Sequence, residues 1–473
     1  MNCATSGFVF RSGQSELRHD TDHEPVFRQE SFFAAFFGVR EPDFFALILP
    51  NTPKSGTSTV SHRTILVAPD LGDDYEIWAG HRKSAADWAA VYGVDTVLIG
   101  AGAVGPYLDA HAPHVQQLWS LGPGVGRNAD SGSDHAGVGD LGAARLTLAL
   151  PTSVSLAPSP LLYWAAVEAR TVKSGAIADL MRTVADVSAQ AHIAVMAATT
   201  AGQREFEAEA EFRRRVAAAG CRHTSYTCIC GSGDNGSALH YGHAGAPNDG
   251  ILQDGQLFLL DMGGELHFHG ADISRTFPVN GTFTPDQAAL YETVLAAADV
   301  TIAGCRPGVS YVELHELALR TLLVGLRDKM GVVVADANLD EAFAAGIAQI
   351  FMPHGLGHML GIDTHDVGGG ERDPRYPTLR MTRELRPGYV VTIEPGVYFI
   401  AMLLDRALAD PEKARFLVAS RIDEYRGSGG VRIEDDILIT EDGAENMSAA
   451  APRTVKDVEA ACRGGRQAKR GRE

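Results

Sequence analysis

Cysteine is scarce in this sequence, with six residues in 473, and their irregular spacing excludes a fold held together by disulfides. Cys228 and Cys230 form a CxC pair, but no second pair completes the spacing of a zinc ribbon. Free cysteine otherwise behaves as a small core residue. We therefore expect buried free thiols and a reducing compartment.

Long hydrophobic runs and positive charge are also in short supply. No apolar run approaches the ~18 residues of a membrane span, and charged residues interrupt positions 11–20 before a secretory signal could form. The 41 Lys and Arg against 59 Asp and Glu give a formal net charge of −18, which disfavours non-specific binding to polyphosphate. We expect a soluble cytoplasmic protein with neither membrane nor nucleic acid among its partners.

The chain does have the length and the core-forming residues for two domains, at 473 residues and 45% hydrophobic composition. Apolar runs alternate with helix-like stretches in the first part, which is typical of an α/β layer. Those runs are Phe44–Leu49, Thr64–Ala68 and Thr96–Ile99. Residues 121–142, rich in Gly, Asp and Ser, have the composition of a surface loop. We predict an N-terminal α/β domain over residues 1–165.

The second part, residues 166–473, combines well-marked helices with short strands, which predicts an α+β domain. One helix begins near Ser174, and capping-box patterns at Thr284 and Ser310 predict two more. The predicted strands are Gln256–Met262, Ala271–Val279, Tyr389–Tyr398 and Gly430–Thr440. The basic end, from Arg463 to Glu473, is predicted to be a frayed, flexible tail.

Four carboxylates lie within these predicted strands, where solvation is poorest. They are Asp261, Asp272, Glu394 and Glu434. An unpaired charge in such a place would cost several kcal/mol, so something positive must meet it. Any one of these acids could be a solvent-facing strand residue or part of an isolated salt bridge. Four of them, each flanked by apolar and glycine residues, favour a shared site.

Side-chain alternation in the last strand selects among its acids. Arg432, Glu434 and Asp436 fall on one face of the strand, whereas Asp435 falls on the other. Glu434 is therefore the expected partner of the other three carboxylates.

Histidines accompany these acids in the segment Pro353–His358 and at His365. His354 and His358 have the i,i+4 spacing of a zinc-binding helix, but the intervening glycines and the proline make a helix there improbable. Four carboxylates with histidine form a hard, oxygen-rich environment that suits Mn²⁺ and tolerates Co²⁺ or Zn²⁺. Two divalent metal ions would balance the four negative charges.

A competing motif, the GxGxxG pattern of residues 231–236, matches the dinucleotide fingerprint only weakly. No helix-forming stretch follows it to present a helix N-terminus to pyrophosphate, so we expect a loop.

Five ordered motifs over some 180 residues resemble the pita-bread metallopeptidases. They are Leu260–Gly264, Ala271–Pro278, His354–His358, Thr392–Gly396 and Gly430–Glu434. The similarity is strongest to the eukaryotic-type Xaa-Pro dipeptidase branch and extends outward through Thr224–Cys230, His240–Gly245 and Phe27–Phe33. It implies a C-terminal pita-bread catalytic domain preceded by an α/β domain.

The resemblance implies five metal ligands: Asp261, Asp272, His358, Glu394 and Glu434. In the family, the residues matching Asp272 and Glu434 bridge two ions, and a water between the ions attacks the scissile carbonyl. Glu394 would then be the proton shuttle to the leaving imino nitrogen.

The resemblance also implies substrate-binding residues. His240 and His365 match histidines that hold the substrate and stabilise the tetrahedral intermediate, with a purely structural role as the alternative. His354 would orient the site. Arg380 and Arg432 would anchor the free carboxylate of the substrate. Trp78 matches an aromatic residue that reaches the active site of the opposite subunit, which implies a homodimer; simple core packing is its alternative.

The implied activity is hydrolysis of Xaa-Pro dipeptides, with an Xaa-Pro aminopeptidase for longer peptides as the nearest rival. A non-catalytic binding protein or a creatine-type hydrolase on this fold would lack part of the ligand set. The sequence departs from the family at Ala401–Met402 and at His267 and His269, which we expect to lie in a loop. None of the five proposed ligands is altered.

Overall fold

The computed structural model describes residues 4–51, 61–121, 141–243, 245 and 247–470. They divide into two units, Met1–Ala169 and Arg170–Glu473. The predicted boundary at residue 165 lies inside helix α6 (Pro160–Thr171), which continues into the second unit. Most of the predicted surface loop, residues 122–140, lies outside the described residues.

The first unit is built on a mixed six-stranded sheet. Its strands are β1 (Ser6–Arg11), β2 (Phe45–Pro50), β3 (His62–Ala68), β4 (Thr96–Ile99), β5 (Gln117–Ser120) and β6 (Ser155–Pro158), and its other helices are α1 (Ser31–Phe37), α2 (Tyr75–Ala79), α3 (Ala85–Tyr92), α4 (Val104–His111) and α5 (Leu141–Thr147). The spatial order is β4-β3-β2-β1-β5-β6. The three strands predicted from apolar runs are β2, β3 and β4, and the predicted α/β class is confirmed.

The second unit places helices around several small antiparallel sheets. Its helices are α7 (Gly175–Ala198), α8 (Glu205–Ala218), α9 (Pro285–Gly304), α10 (Tyr311–Asp328), α11 (Leu339–Ala344), α12 (Ile347–Phe351), α13 (Ala401–Ala409), α14 (Pro411–Ala414), α15 (Ala419–Tyr425) and α16 (Val455–Arg470). Its strands are β7 (His223–Thr224), β8 (Ile229–Ser232), β9 (Leu257–Asp261), β10 (Gly264–Leu266), β11 (His269–Gly270), β12 (Ser274–Pro278), β13 (Val390–Ile393), β14 (Gly396–Tyr398), β15 (Gly430–Arg432), β16 (Asp435–Ile439) and β17 (Ala444–Asn446).

Helix starts follow the predicted caps, with one exception. The Ser174 side chain accepts from Ile177 N at the start of α7, and Thr284 forms a complete capping box with Gln287 at the start of α9. Helix α10 also begins directly after Ser310, but the Ser310 side chain makes no cap hydrogen bond. The capping box predicted at Ser310 is therefore wrong, although the helix itself is present.

Two of the predicted strands are each broken in two, and both breaks lie beside the candidate site. Strand β13 pairs with β16, whereas β14 pairs with β15 in a separate sheet. Ile393 is the register partner of Asp435, and Gly396 is that of Arg432. Residues 394–395 and 433–434 therefore lie opposite each other, at the point where both segments pass from one sheet to the other.

Three further features bear on the predictions. The chain end predicted to be a frayed tail is helical through Arg470 as part of α16. The cysteines at positions 221, 228, 230, 305 and 462 are buried free thiols. Within the described residues, no helix has both the length and the apolar character to cross a bilayer.

Candidate metal centre

The four predicted carboxylates converge at the edges of neighbouring sheets. Asp261 is the last residue of β9, and Asp272 lies two residues before β12, the antiparallel neighbour of β9. Glu394 and Glu434 occupy the two strand breaks rather than strand interiors, which corrects their predicted placement. Their backbone amides are held at the breaks, because Glu394 N donates to Leu356 O at 2.8 Å and Glu434 N donates to Ser274 O at 3.1 Å.

His358 faces the carboxylates from a loop, as its glycine-rich surroundings predict. Its backbone N donates to Thr392 Oγ1 at 3.2 Å, and its Nδ1 lies 3.0 Å from Met359 O. That contact suits an Nδ1–H donor and leaves the Nε2 lone pair for a metal. Nε2 lies 3.3 Å from Asp272 Oδ2 and 3.6 Å from Glu394 Oε1.

Three of the five proposed ligands form a compact donor set. Asp272, His358 and Glu434 each offer an atom within 4.8 Å of the others, and all three side chains are buried. Asp261 is instead held by two hydrogen bonds, from Tyr226 Oη to Oδ1 and from Arg432 Nη2 to Oδ2, both at 2.5 Å. The arrangement brings all five predicted ligands to one place, with Asp261 and Glu394 beside the central three.

Burial and the crowding of like charges disfavour the ionised form of these carboxyl groups when no cation is bound. Burial, followed by the charge of neighbouring acids, raises the pKa of Asp272 and of Glu434 well above their usual range. Burial also raises the pKa of Glu394 to about 7, against the opposing pull of His358 and Arg432. Divalent cations would remove this penalty, so the donor set fits them.

His354 lies beside the candidate metal centre and is held by hydrogen bonds. Its Nδ1 lies 2.7 Å from Gly355 O, and its Nε2 lies 3.0 Å from Tyr398 Oη. Burial, followed by the charge of Arg432, lowers the pKa of His354 to about 3, so its ring is neutral near pH 7. Its Nδ1 lies 3.8 Å from Glu394 Oε2.

His365 and His240 lie at the open side of the site. The His365 ring centre lies 4.4 Å from that of His358, and the His365 side chain is exposed. His240 is exposed too, but partial desolvation, followed by the charge of Arg432, lowers its pKa. The charge of Asp261 opposes this lowering of the His240 pKa, and the charge of Arg380 adds to it.

The two proposed anchor arginines have different surroundings. Arg432 is buried, and its Nε donates to Ser274 Oγ at 2.8 Å while Nη1 donates to Tyr398 Oη at 2.9 Å. With Nη2 on Asp261, the Arg432 guanidinium is already bound to the site itself. Arg380 is half-buried, and its charge acts on His240 and His365.

Trp78 belongs to the first unit, where its side chain is 87% exposed. It lies on α2 beside Ile77, which is 72% exposed, and no residue of this helix is buried. The alternative interpretation, core packing, is therefore wrong.

Several residues of the site were missed by sequence reasoning. Ser274 Oγ donates to Glu434 Oε2 at 2.6 Å, and both Asp436 oxygens accept from Asp272 N at 3.2 Å. The alternation that placed Asp436 on the Glu434 face was the available signal for Asp436. The sequence contains no such signal for Tyr226 and Tyr398, because the residues that they contact lie far away in sequence.

The GxGxxG segment and the histidine pair have other roles. Residues 233–237 form a 3₁₀ turn after β8, in place of the α-helix that a dinucleotide would need. His267 and Phe268 are the two loop residues of the β10–β11 hairpin, with φ of 47° and 70°. The expected loop position of His267 is confirmed, whereas His269 begins β11.

These features define a metallopeptidase. The sequence model of metallopeptidase family M24 matches residues 179–441, and that of the aminopeptidase P N-terminal domain matches residues 2–101. The chain belongs to family M24, and the pita-bread resemblance is confirmed.

Several known proteins are similar to this chain over nearly its whole length. Human Xaa-Pro dipeptidase is 40% identical over 98% of this chain and 89% of its own length. A probable Xaa-Pro aminopeptidase of Botryotinia fuckeliana is 34% identical over 96% of this chain and 91% of its own. Escherichia coli aminopeptidase P with the inhibitor Pro-Leu matches with a TM-score of 0.77 and 28% identity, covering 98% of this chain and 95% of that one.

Proposed function

We propose that this chain is an Xaa-Pro dipeptidase, or prolidase, which hydrolyses Xaa-Pro dipeptides and releases the N-terminal residue and proline. The observation that carries the proposal is the convergence of the four carboxylates and His358. The His358 Nε2 atom lies 3.3 Å from Asp272 Oδ2 and 3.6 Å from Glu394 Oε1. The 40% identity to human Xaa-Pro dipeptidase supports the substrate class.

Two divalent ions would be held by the five proposed ligands: Asp261, Asp272, His358, Glu394 and Glu434. An oxygen-rich set with a single imidazole favours Mn²⁺, with Co²⁺ or Zn²⁺ as alternatives. When bound, such ions supply Lewis acidity, which lowers the pKa of a water molecule and polarises a carbonyl group.

Glu394 is the proposed proton shuttle. Its side chain is 18% exposed, against 6% for Asp272 and 2% for Glu434, so water and substrate reach it most easily. A carboxylate in that place can take the proton of the attacking water and deliver it to the imino nitrogen of the departing proline.

Substrate recognition is assigned to residues on the open side of the site. His240 and His365 would hold the peptide and stabilise the charge that develops on the carbonyl oxygen, while His354 orients the centre through Tyr398. The free carboxylate of proline would bind Arg380, and the buried Arg432 would add positive charge to the site. Arg432 is itself bound to Asp261, Ser274 and Tyr398, so it would act from within the site.

The proposal also covers the cellular location and the oligomeric state of the enzyme. We place it in the cytoplasm, supported by the buried free thiols of the described cysteines. The exposed apolar side chains of Tyr75, Ile77 and Trp78 support a homodimer in which the N-terminal domain contributes to dimerisation and covers the partner's active site.

Hydrolysis of Gly-Pro and of a Gly-Pro-containing tripeptide by the chelated protein, titrated with Mn²⁺, Co²⁺ and Zn²⁺, tests the proposal. We expect metal-dependent cleavage with the dipeptide strongly preferred and Mn²⁺ the most effective ion. Equal cleavage of both peptides would instead favour an Xaa-Pro aminopeptidase, the activity for which the fungal relative is named. A protein that binds no metal stoichiometrically would reject both activities.

A further inference from the structure

A buried carboxylate outside the metal centre organises the segment that bears His240. Glu205, the first residue of α8, has no exposed surface. Its Oε1 accepts from Ser232 N at 2.8 Å, Ser232 Oγ at 2.7 Å and Asn235 Nδ2 at 3.0 Å, and its Oε2 accepts from Tyr241 Oη and Gly250 N, both at 2.9 Å. Five neutral donors thus satisfy both oxygens of one buried carboxylate.

The donors stand on both sides of His240 in the sequence. Ser232 and Asn235 precede it, and Asn235 Nδ2 also donates to Tyr241 Oη at 3.0 Å. Gly250 follows it, and a Cβ added there would lie 2.8 Å from the Glu205 carboxyl group, so the backbone packs directly against the acid. One side chain therefore ties together both flanks of this segment.

The next turn of the same helix repeats the arrangement. Glu209 Oε2 accepts from Asn248 Nδ2 at 2.9 Å. Asn248 in turn donates to Cys228 O at 2.9 Å and accepts from Cys230 N at 3.1 Å. Helix α8 thus fixes the two ends of the segment to each other as well as to itself.

His240 has little else to orient it. Its ring receives no hydrogen bond from the part of the chain that the structure describes, and its side chain is exposed. Its position therefore depends on the backbone that carries it, and Tyr241 is the next residue of that backbone.

We infer that Glu205 is a positioning residue for hydrolysis, which acts by fixing the backbone around His240 and does not touch the substrate. The inference rests on the proposed function, in which His240 holds the peptide.

A double-mutant cycle between Glu205→Gln and His240→Ala in the full-length, Mn²⁺-loaded protein tests this inference. Glutamine keeps the shape but presents an NH₂ group to donors that need an acceptor. With Gly-Pro we expect E205Q to lower kcat/KM by about 10- to 100-fold, because a misplacement of about 1 Å in a binding group can cost 100-fold. In the H240A background, the same change should cost almost nothing further. Full additivity, or an E205Q protein with unchanged kcat/KM, would overturn the inference.

Matched variants separate positioning from general damage. Glu211→Gln changes the same residue type on α8, but Glu211 pairs with Arg214 and Arg215 at the surface, so its kcat/KM should stay unchanged. If E205Q folds poorly, Tyr241→Phe removes one donor and should show a smaller loss that also vanishes in H240A. Mn²⁺ affinity, measured by calorimetry, should stay the same in E205Q, and its loss would contradict action through His240.

The outcomes distinguish the two proposals. An inactive wild-type protein would remove the proposed function and this inference together. An active wild type in which H240A lowers kcat/KM, while E205Q acts additively with it, would remove the inference alone.

Discussion

At the scale of single residues, burial of Glu434 opposes folding of the metal-free chain. Its pKa lies well above the usual range because of burial first and the Asp272 charge second. A carboxyl group with a raised folded-state pKa destabilises the fold at pH values above its unfolded pKa, and the penalty is relieved as pH falls through the folded value. A residue that opposes folding in this way is typical of a functional site, and the role proposed for Glu434 is metal binding.

Glu434→Gln should therefore separate stability from metal binding. Glutamine removes the charge and can still accept from Ser274 Oγ, which now donates at 2.6 Å. We expect the metal-free variant to melt a few degrees above metal-free wild type at pH 7, while its Mn²⁺ affinity falls at least 10- to 100-fold, on the order of the loss for a disturbed metal shell. Calorimetry with and without chelator measures both, and a lower melting temperature for metal-free E434Q would contradict the charge argument.

Arg380 is expected to set the preference for dipeptides. Arg380→Ala removes a guanidinium that can grip a free carboxylate through two hydrogen bonds, and a longer peptide has no carboxylate at that position. We expect kcat/KM for Gly-Pro to fall about 100-fold or more, where each tenfold step corresponds to about 1.4 kcal/mol of transition-state free energy. The kcat/KM for a Gly-Pro tripeptide should change little. Arg375→Ala, an arginine 61% exposed on the same loop, is the matched control.

At the scale of elements, helix caps allow a clean comparison within one domain. Thr284 caps α9 with a complete capping box, whereas Ser310 precedes α10 without a side-chain cap bond. Thr284→Ala should lower the free energy of unfolding by about 1 kcal/mol, and Ser310→Ala should cost much less. Urea unfolding followed by circular dichroism measures both, and equal losses would show that the Ser310 side chain has a role unconnected with the cap.

The β10–β11 hairpin contains strain that a substitution can release. His267 and Phe268 both have positive φ, as a two-residue type I′ turn requires, and glycine or asparagine adopt that conformation far more readily. His267→Gly should raise the free energy of unfolding by about 0.5–1 kcal/mol, because the His267 side chain is exposed and its removal costs little packing. A gain in urea midpoint with unchanged slope checks it.

These elements also show where sequence reasoning succeeds and where it stops. The capping pattern at Thr284 and the apolar runs of β2, β3 and β4 are local signals, and the structure follows them. The breaks at Glu394 and Glu434 are not local, because they arise where paired strands leave one sheet for another. The four acids could be singled out from their apolar and glycine surroundings, but Tyr226, which donates to Asp261 from 35 residues away, could not.

At the scale of the whole molecule, protons and metal should compete for the same site. The folded pKa of Glu394 is about 7, against about 4.3 for an unfolded glutamate, so the metal-free fold takes up a proton in that interval and loses stability as pH rises through it. Metal requires the carboxylate form, so its stabilising effect must increase over the same interval. Free Mn²⁺ at 100 times its dissociation constant adds about 2.7 kcal/mol to the free energy of unfolding.

We therefore expect the increase in melting temperature on adding Mn²⁺ to the chelated chain to be small near pH 5 and large near pH 8. The direction follows from the raised pKa values of Glu394, Asp272 and Glu434, all of which must lose protons for metal to bind. Scanning calorimetry at fixed free Mn²⁺ across that range measures it, with E434Q as the variant in which the increase should be largely lost. A shift of equal size at pH 5 and pH 8 would contradict binding at this site, because ligands with raised pKa values must make metal binding depend on pH in this window.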